Sequence, residues 1–300
     1  MSAASTFEIP VAHIDDPESI TLLVHKLKDL HGSEFDFNVQ SWDGETTLCA
    51  PPQKTAFFFV MRAQKATIAL MPKDRIRGPS LNGPYHIYQA PWAEVTAEHT
   101  EEIWPGDTIA ANTEIGDTKL TGSGIYYQVT TPTTSYCAPK LALLRNLENK
   151  PGGCAAYDNA FRREALPPEA TDKTDHMGAN RVNHHTLDMR PDRTPLPTRH
   201  HHGQVQGPSK MLNHTETALV LPRSVYGLPE VNANTEGHAL FYRNPLTCGT
   251  SDAFTVPVKP GSIVVTPSTA KHLYGHCFEN AFAMLIAIPG FVAPYVMIED

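Results

Sequence analysis

Short runs of apolar, β-branched and aromatic residues recur along this chain, and prolines and glycines separate them. Three stand in the first half: Thr55–Leu70 (TAFFFVMRAQKATIAL), Tyr85–Ala97 and Gly124–Thr131 (GIYYQVTT). Four more follow in the second half: His214–Leu221, Ala239–Arg243, Ser262–Thr266 and Ala281–Ile288. Runs of this kind, bounded by turn residues, predict strands. Helical spacing is confined to two places. Over Ser19–His31 the residues Leu22, Leu23, Leu27 and Leu30 fall on one side, and Leu141–Leu147 reads as a second, shorter helix. The pattern predicts an all-β fold with a few short helices.

The runs also repeat. Tyr85-His86-Ile87-Tyr88-Gln89-Ala90-Pro91 aligns with Leu240-Phe241-Tyr242-Arg243-Asn244-Pro245 when Pro91 is set on Pro245, an offset of 154 residues. Trp104-Pro105-Gly106-Asp107-Thr108-Ile109 aligns with Lys259-Pro260-Gly261-Ser262-Ile263-Val264 at an offset of 155. Thr55–Met61 lines up with Thr215–Leu221. Two matches sharing one period point to two similar β-domains of ordinary size. The expected division is residues 1–150, a linker over 151–175, and residues 176–300. Pro151-Gly152-Gly153, Pro167-Pro168 and mixed charges give 151–175 its linker character.

Composition narrows the function classes. Of the 300 residues 41% are hydrophobic and 19% charged, enough apolar material for a substantial core. The formal net charge is −8, which argues against nucleic-acid and anionic-membrane binding, since both call for clustered positive charge. The 5 cysteines are odd in number and contain no CxxC pair, so neither a disulfide framework nor a thiolate zinc site is expected. The opening residues MSAASTFEIPVAHIDD carry no basic n-region and no apolar h-region, which makes the cytoplasm the expected location. Ala281–Ile298 is uncharged, but Pro289-Gly290 and Pro294 interrupt it. It reads as a buried strand followed by an apolar tail.

The standard catalytic signatures are missing: no GxSxG, GxxxxGK, HExxH or strand-linked GxGxxG occurs. Histidine is the informative residue. Ten of the 15 lie after residue 170, including the run His200-His201-His202. On the strand begun by His214, the alternation of side chains puts His214 and Glu216 on one face. A second segment, Pro260-Gly261 through Pro267 to His272, is a turn, a buried strand and a following histidine.

These residues resemble the cupin superfamily. Its second motif is a glycine, five residues, a proline, and a histidine five residues later. Gly261, Pro267 and His272 match that spacing, with Thr269 where a further glycine is usual. Its first motif is a His-x-His pair with a glutamate four residues on, opening an apolar strand. Glu216, followed by Thr217–Leu221, matches the glutamate, whereas the two histidines fall on Lys210 and Leu212. The resemblance implies that His214 replaces them and leaves His200 or His202 to complete the shell. It implies two tandem jelly-roll barrels, a bicupin. In the first, Lys54, Ala56 and Asp117 stand where His214, Glu216 and His272 stand in the second, so that barrel is expected to be metal-free.

What the resemblance implies about function is a metal site formed by His214, Glu216 and His272, with one divalent ion per chain. Fe(II) comes first, and Mn, Ni or Zn suit the same donors. The leading expectation is a mononuclear non-haem iron dioxygenase acting on a small oxygenated substrate, aromatic or enediol. The alternative is a metal-dependent isomerase, epimerase or lyase of a sugar-like or keto-acid substrate, with His202, Tyr242 and His276 as proton carriers. A third reading is a non-catalytic cupin that binds a small ligand. A purely structural reading gives His272 a turn-capping role and pairs Glu216 with Arg243 or Arg223. Against it, inward His and Glu in a small barrel are costly unless paired or metallated. The expected partners are a small-molecule substrate and further copies of the chain, as a homodimer or larger homo-oligomer, because the tail Pro289–Ile298 would otherwise expose apolar surface.

Overall fold

The computed structural model describes residues 8–33, 35–52, 54–72, 99–111, 116–131, 140–143, 150–151, 160–166, 181–188, 200–201, 215–221, 237–242, 253–267, 271–273, 280–288 and 298–299. In chain order, strand β1 (Val11–His13) and helix α1 (Pro17–His31) come first. Then follow β2 (Asp36–Asp43), β3 (Thr46–Leu48), β4 (Thr55–Pro72), β5 (His99–Glu102), β6 (Thr108–Ala111), β7 (Gly116–Thr131) and β8 (Lys140–Ala142). The second half holds β9 (Lys150–Pro151), β10 (Ala160–Leu166), β11 (Arg181–Asp188), β12 (His200–His201), β13 (Thr215–Val220) and β14 (Gly237–Tyr242). It ends with β15 (Ala253–Val258), β16 (Ser262–Thr266), β17 (Lys271–Leu273), β18 (Asn280–Ile288) and β19 (Ile298–Glu299).

All strand pairings among the described residues are antiparallel, in three sheets. The first half forms a sheet ordered β2-β7-β4-β6-β8, with β3 on β7 and β5 on β4. The second half forms two, ordered β1-β16-β13-β18-β11-β10-β9 and β15-β14-β17-β12-β19. In the first half β4 and β7 are long, and their register slips between Val60 and Arg62 and between Gln64 and Thr67. Bulges bend strands. Here the bend lets Phe58 and Val60 from one end of β4 share a cluster with Ile68 and Leu70 from the other. In the second half the corresponding layers are separate sheets, and Ala218, Val220 and Val264 of one pack with Ala239, Phe241 and Val258 of the other.

Between the halves lies a third apolar layer. Phe57, Phe59, Tyr127 and Val129 of the first half meet Leu219, Leu221, Ile263 and Val265 of the second, with Leu23 and Leu27 of α1 between them. Period-2 alternation serves both layers at once: even residues of β13 enter the barrel cluster, odd residues the inter-barrel cluster. The helix is well signalled. Asp16 accepts hydrogen bonds from the Glu18 and Ser19 N–H groups at 3.1 and 3.2 Å, Pro17 opens the first turn, and Gly32 closes the last at φ +87°. Its buried positions are Leu23, Leu27 and His31, whereas Leu22 is 59% exposed and so belongs to the solvent face, not the apolar side read from the sequence.

The repeat is reproduced in the turns. Gly106 and Gly261 have φ of +97° and +94°. Each donates its N–H at 2.8 Å, Gly106 to the Val60 carbonyl and Gly261 to that of Val220. Each turn is closed by the next residue: the Asp107 carboxylate accepts from Trp104 N–H at 2.7 Å, and the Ser262 hydroxyl from Lys259 N–H at 3.0 Å. Around Gly261 the fit is tight, since a Cβ there would come 2.9 Å from His13 Nε2, which hydrogen-bonds the Pro260 carbonyl at 3.0 Å. Gly261→Ala is therefore expected to destabilise the protein by about 1–2 kcal/mol, through both the positive φ and the crowding. Urea denaturation checks this, and an unshifted midpoint would mean the turn relaxes freely.

Several sequence expectations need correction. Val11–His13 does not stay with the first half: β1 pairs with β16 across Val11↔Val264 and His13↔Ser262. Within the expected linker 151–175, residues Ala160–Leu166 are a strand, in register with β11. Lys140–Ala142 is a strand on β6, so Leu141 does not begin a helix. The end of the apolar tail returns to its own chain, because His201 pairs with Ile298 and His200 with Glu299. Residues 289–297 of the tail lie outside the described residues. Tyr85–Ala97 lies outside the described residues. No helix among them is long and apolar enough to cross a membrane.

Candidate metal centre

Glu216 sits on β13 in phase with Ala218 and Val220, the residues whose side chains enter the second-half cluster. Its register partners are Thr266 on β16, fully buried, and Ala287 on β18. The matching place in the first half is Ala56, which pairs with Ala111 as Glu216 pairs with Thr266. Ala56 is itself fully buried, in a cluster with Phe58, Ile109 and Leu120. At one register position, then, one barrel keeps an alanine in an apolar core and the other carries a carboxylate.

His272 lies in the facing sheet. It is directly opposite Phe241 on one side and His200 on the other. Phe241 is fully buried and packs with Ala218, Val220 and Val264, so that face of the sheet is turned toward β13 and β16. Directly opposed residues of antiparallel strands occupy one face. His272 and His200 thus follow Phe241 along one cross-strand register row. Tyr242 pairs with Lys271, the next register position along. His214, His202 and His276 lie outside the described residues.

Asp117 also needs revision as the counterpart of His272. It is half-buried, and the adjacent Thr118 and Leu120 are the fully buried residues of that stretch of β7. The inward place is thus Thr118, whose buried hydroxyl has no hydrogen-bond partner. Among the residues whose side chains are described, no three His, Cys, Asp or Glu converge on a metal-sized site. An open cleft of about 260 Å³ lies elsewhere, beside the β1–α1 turn; His13, Asp16, Ser19 and Ser262 in its lining are already spent on closing that turn and capping the helix.

The strand that carries Glu216 is anchored from behind. Thr215 is fully buried, and its hydroxyl lies 2.8 Å from His31 Nε2. His31 packs against Phe35 and Phe37, and burial alone lowers its pKa from 6.5 to about 4. Two residues on, Thr217 faces Tyr127. Burial raises the Tyr127 phenol well above its ordinary range, and the Thr217 hydroxyl tempers that rise without reaching hydrogen-bonding geometry. Nearer the surface, Arg62 of β4 binds Asp15 through both nitrogens at 2.9 and 3.0 Å and holds that carboxyl below its ordinary range. These ties join the first half to the site-bearing sheet.

The architecture is two antiparallel barrels with duplicated turns and register. A solved structure of an IolB-like protein from Salmonella typhimurium LT2 is similar, at TM-score 0.51 and 9% identity over 89% of this chain and 87% of that one. The chain has the bicupin fold. Salicylate 1,2-dioxygenase from Pseudoaminobacter salicylatoxidans (TM-score 0.49, 10% identity, covering 99% of this chain and 90% of that one) and oxalate decarboxylase from Lactobacillus farciminis (TM-score 0.49, 8% identity, covering 88% and 79%) also align. No family model matches the sequence, and no curated protein matches it.

Sequence reasoning reached Glu216 and His272 through motif spacing. It left His200 and His202 undivided, and the register is what sets His200 beside His272.

Proposed function

We propose that this bicupin is a metal-dependent enzyme with a single working centre in its second barrel, and that it is a mononuclear non-haem iron dioxygenase for a small aromatic or enediol substrate. The observation that carries this reading is the contrast at one register position, buried Ala56 in one barrel and Glu216 in the other. The donor chemistry fits a metal: His214 and His272 supply imidazoles and Glu216 a carboxylate, a set that suits Fe(II) and also Mn, Ni or Zn. When bound, the ion supplies Lewis acidity and, as Fe(II), open positions for oxygen chemistry. The chain itself positions the donors. Glu216 is held by a strand hydrogen-bonded on both edges, and Thr215 is fixed from behind by His31. Phe241 is buried in the adjoining apolar cluster. His202, Tyr242 and His276 stand as the proton carriers of this proposal.

The expected result is one tightly bound ion per chain, found by elemental analysis of protein purified without metal-affinity steps, and O2 uptake with a phenol or enediol from a substrate panel. Turnover of a sugar-like or keto-acid substrate without O2 consumption would turn the reading toward the isomerase or lyase class. Two tight ions per chain would overturn the single-centre assignment.

A further inference from the structure

Helix α1 lies in the seam between the two halves, and a histidine ends it. Its buried residues are Leu23, Leu27 and His31, and the two leucines belong to the apolar layer that both halves share. His31 reaches the second half directly, with Nε2 2.8 Å from the Thr215 hydroxyl, while Phe35 and Phe37 cover its ring from the first half. We propose that α1 is an acid-released latch between the barrels: uptake of a proton at His31 lifts the last turns of the helix out of the seam, with Gly32 as the joint, and leaves the barrels folded.

A neutral imidazole carries one N–H and one lone pair, whereas an imidazolium carries two N–H groups that both need acceptors. With the helix closed, Nε2 has Thr215, but Nδ1 is buried with no partner, and the Tyr127 and Thr217 hydroxyls of the same layer make no bond to it. A protonated ring is therefore left with an unmet donor in an apolar seam, and it gains water by leaving. No described charge offsets that cost. The side chains against the ring, Thr215, Phe35 and Phe37, are uncharged, and burial keeps Tyr127 neutral. Lys28 and Asp29 of α1 lie at the surface, where they bond Asp36 of β2 and His25. Burial alone lowers the pKa of the ring from 6.5 to about 4.

The helix is free to move at this end. Gly32 is exposed, has φ +87°, and a Cβ on it would meet nothing within 4 Å, so the exit turn is packed against no neighbour. Two surface ion pairs hold the outer face, Lys26 to Glu8 at 2.6 Å and Lys28 to Asp36 at 2.9 Å, and such pairs contribute little. The other end is fixed, because Asp16 caps it and the Ser19 hydroxyl accepts from the His13 N–H at 3.1 Å. The barrel beneath does not depend on the last turns: β4 and β7 pair along almost their whole length.

The test is amide hydrogen–deuterium exchange of the full chain at pH 7.5 and pH 5, corrected for the intrinsic pH dependence of exchange. With the ring titrating at 6.5 in the open helix and at about 4 in the closed one, the open population rises about 30-fold between the two pH values. The expected result is that the amides of Val24–His31 lose protection by that factor and are less protected at both pH values than the paired amides of β4 and β7. His31→Gln should abolish the pH-dependent loss. Thr215→Val should open the helix more at both pH values and keep the pH-dependent rise. Equal protection of α1, β4 and β7 at both pH values would mean that the helix leaves only when the whole chain unfolds, and the latch would be overturned. An undiminished pH effect in His31→Gln overturns it as well. If that variant fails to fold, as judged by circular dichroism, the wild-type ring decides by nuclear magnetic resonance: titration of the assigned His31 signal well below 6.5 supports the latch, and titration near 6.5 overturns it.

Discussion

His272→Ala is expected to strip the metal from the protein and to leave its fold in place. His272 is a donor of the proposed centre, and β14 on one edge and β12 on the other fix its backbone. Even outer partners of a metal ligand cost about 10–100-fold in affinity when removed, so loss of a ligand itself should cost about a hundredfold or more. Stability should change little, by about 1 kcal/mol or less, because the barrel is held largely by apolar residues on other strands, among them Val264, Ala218 and Val258. Glu216→Ala should lose metal in the same way. Asp117→Ala should not, for two reasons: the first barrel has a buried alanine at the Glu216 position, and Asp117 is out of phase with the inward Thr118. Metal content, turnover and melting temperature of the three variants decide the matter. Full occupancy and turnover in His272→Ala would remove the cupin-type centre and leave the His200–His202 run as the place to search.

The strands that the sequence announced were those with dense β-branched and aromatic runs: β4, β13, β16 and β18 fall where the pattern puts them, within a few residues, and β7 extends from Gly116, well before the expected start at Gly124. The duplication was legible because a Pro-Gly turn needs a positive φ and the same closing bond in each half, which constrains residue type at fixed spacing. The hidden elements share a physical cause. β10 reads AFRREAL, and three successive charges break the alternation that would reveal it. β1 and β19 are too short for a period, and their partners lie at the far end of the chain or across several strands. The same holds for the site. Glu216 and His272 sit in local motifs, whereas the pairing of His200 with His272 and with Glu299 is a matter of register between distant strands, which local sequence does not encode.

Between pH 7 and pH 4.5 the protein is expected to lose about 2 kcal/mol of stability through His31 alone. This histidine ends α1, is almost wholly buried against Phe35 and Phe37, and bonds Thr215 across the inter-barrel layer. Its Nδ1 is buried with no hydrogen-bond partner, so a proton arriving there would have nothing to donate to. Burial lowers its pKa from 6.5 to about 4. Above pH 6.5 the ring is neutral in both folded and unfolded chains, and its contribution is complete. As pH falls below 6.5 the unfolded chain takes up a proton that the folded chain refuses, so unfolding is favoured progressively until the folded ring also protonates near pH 4. Asp15 acts in a different window. Its carboxyl is held below 3.8 by Arg62, and its contribution is lost only as pH falls further. The two are therefore separable by urea denaturation at pH 7.5, 6 and 5. The wild type should show a falling midpoint across that series. His31→Gln should start lower, by about 1–2 kcal/mol for the disturbed buried contact, and show a shallower fall. Parallel falls in the two proteins would mean that another group titrates, and that the bond behind the Glu216 strand does not sense pH.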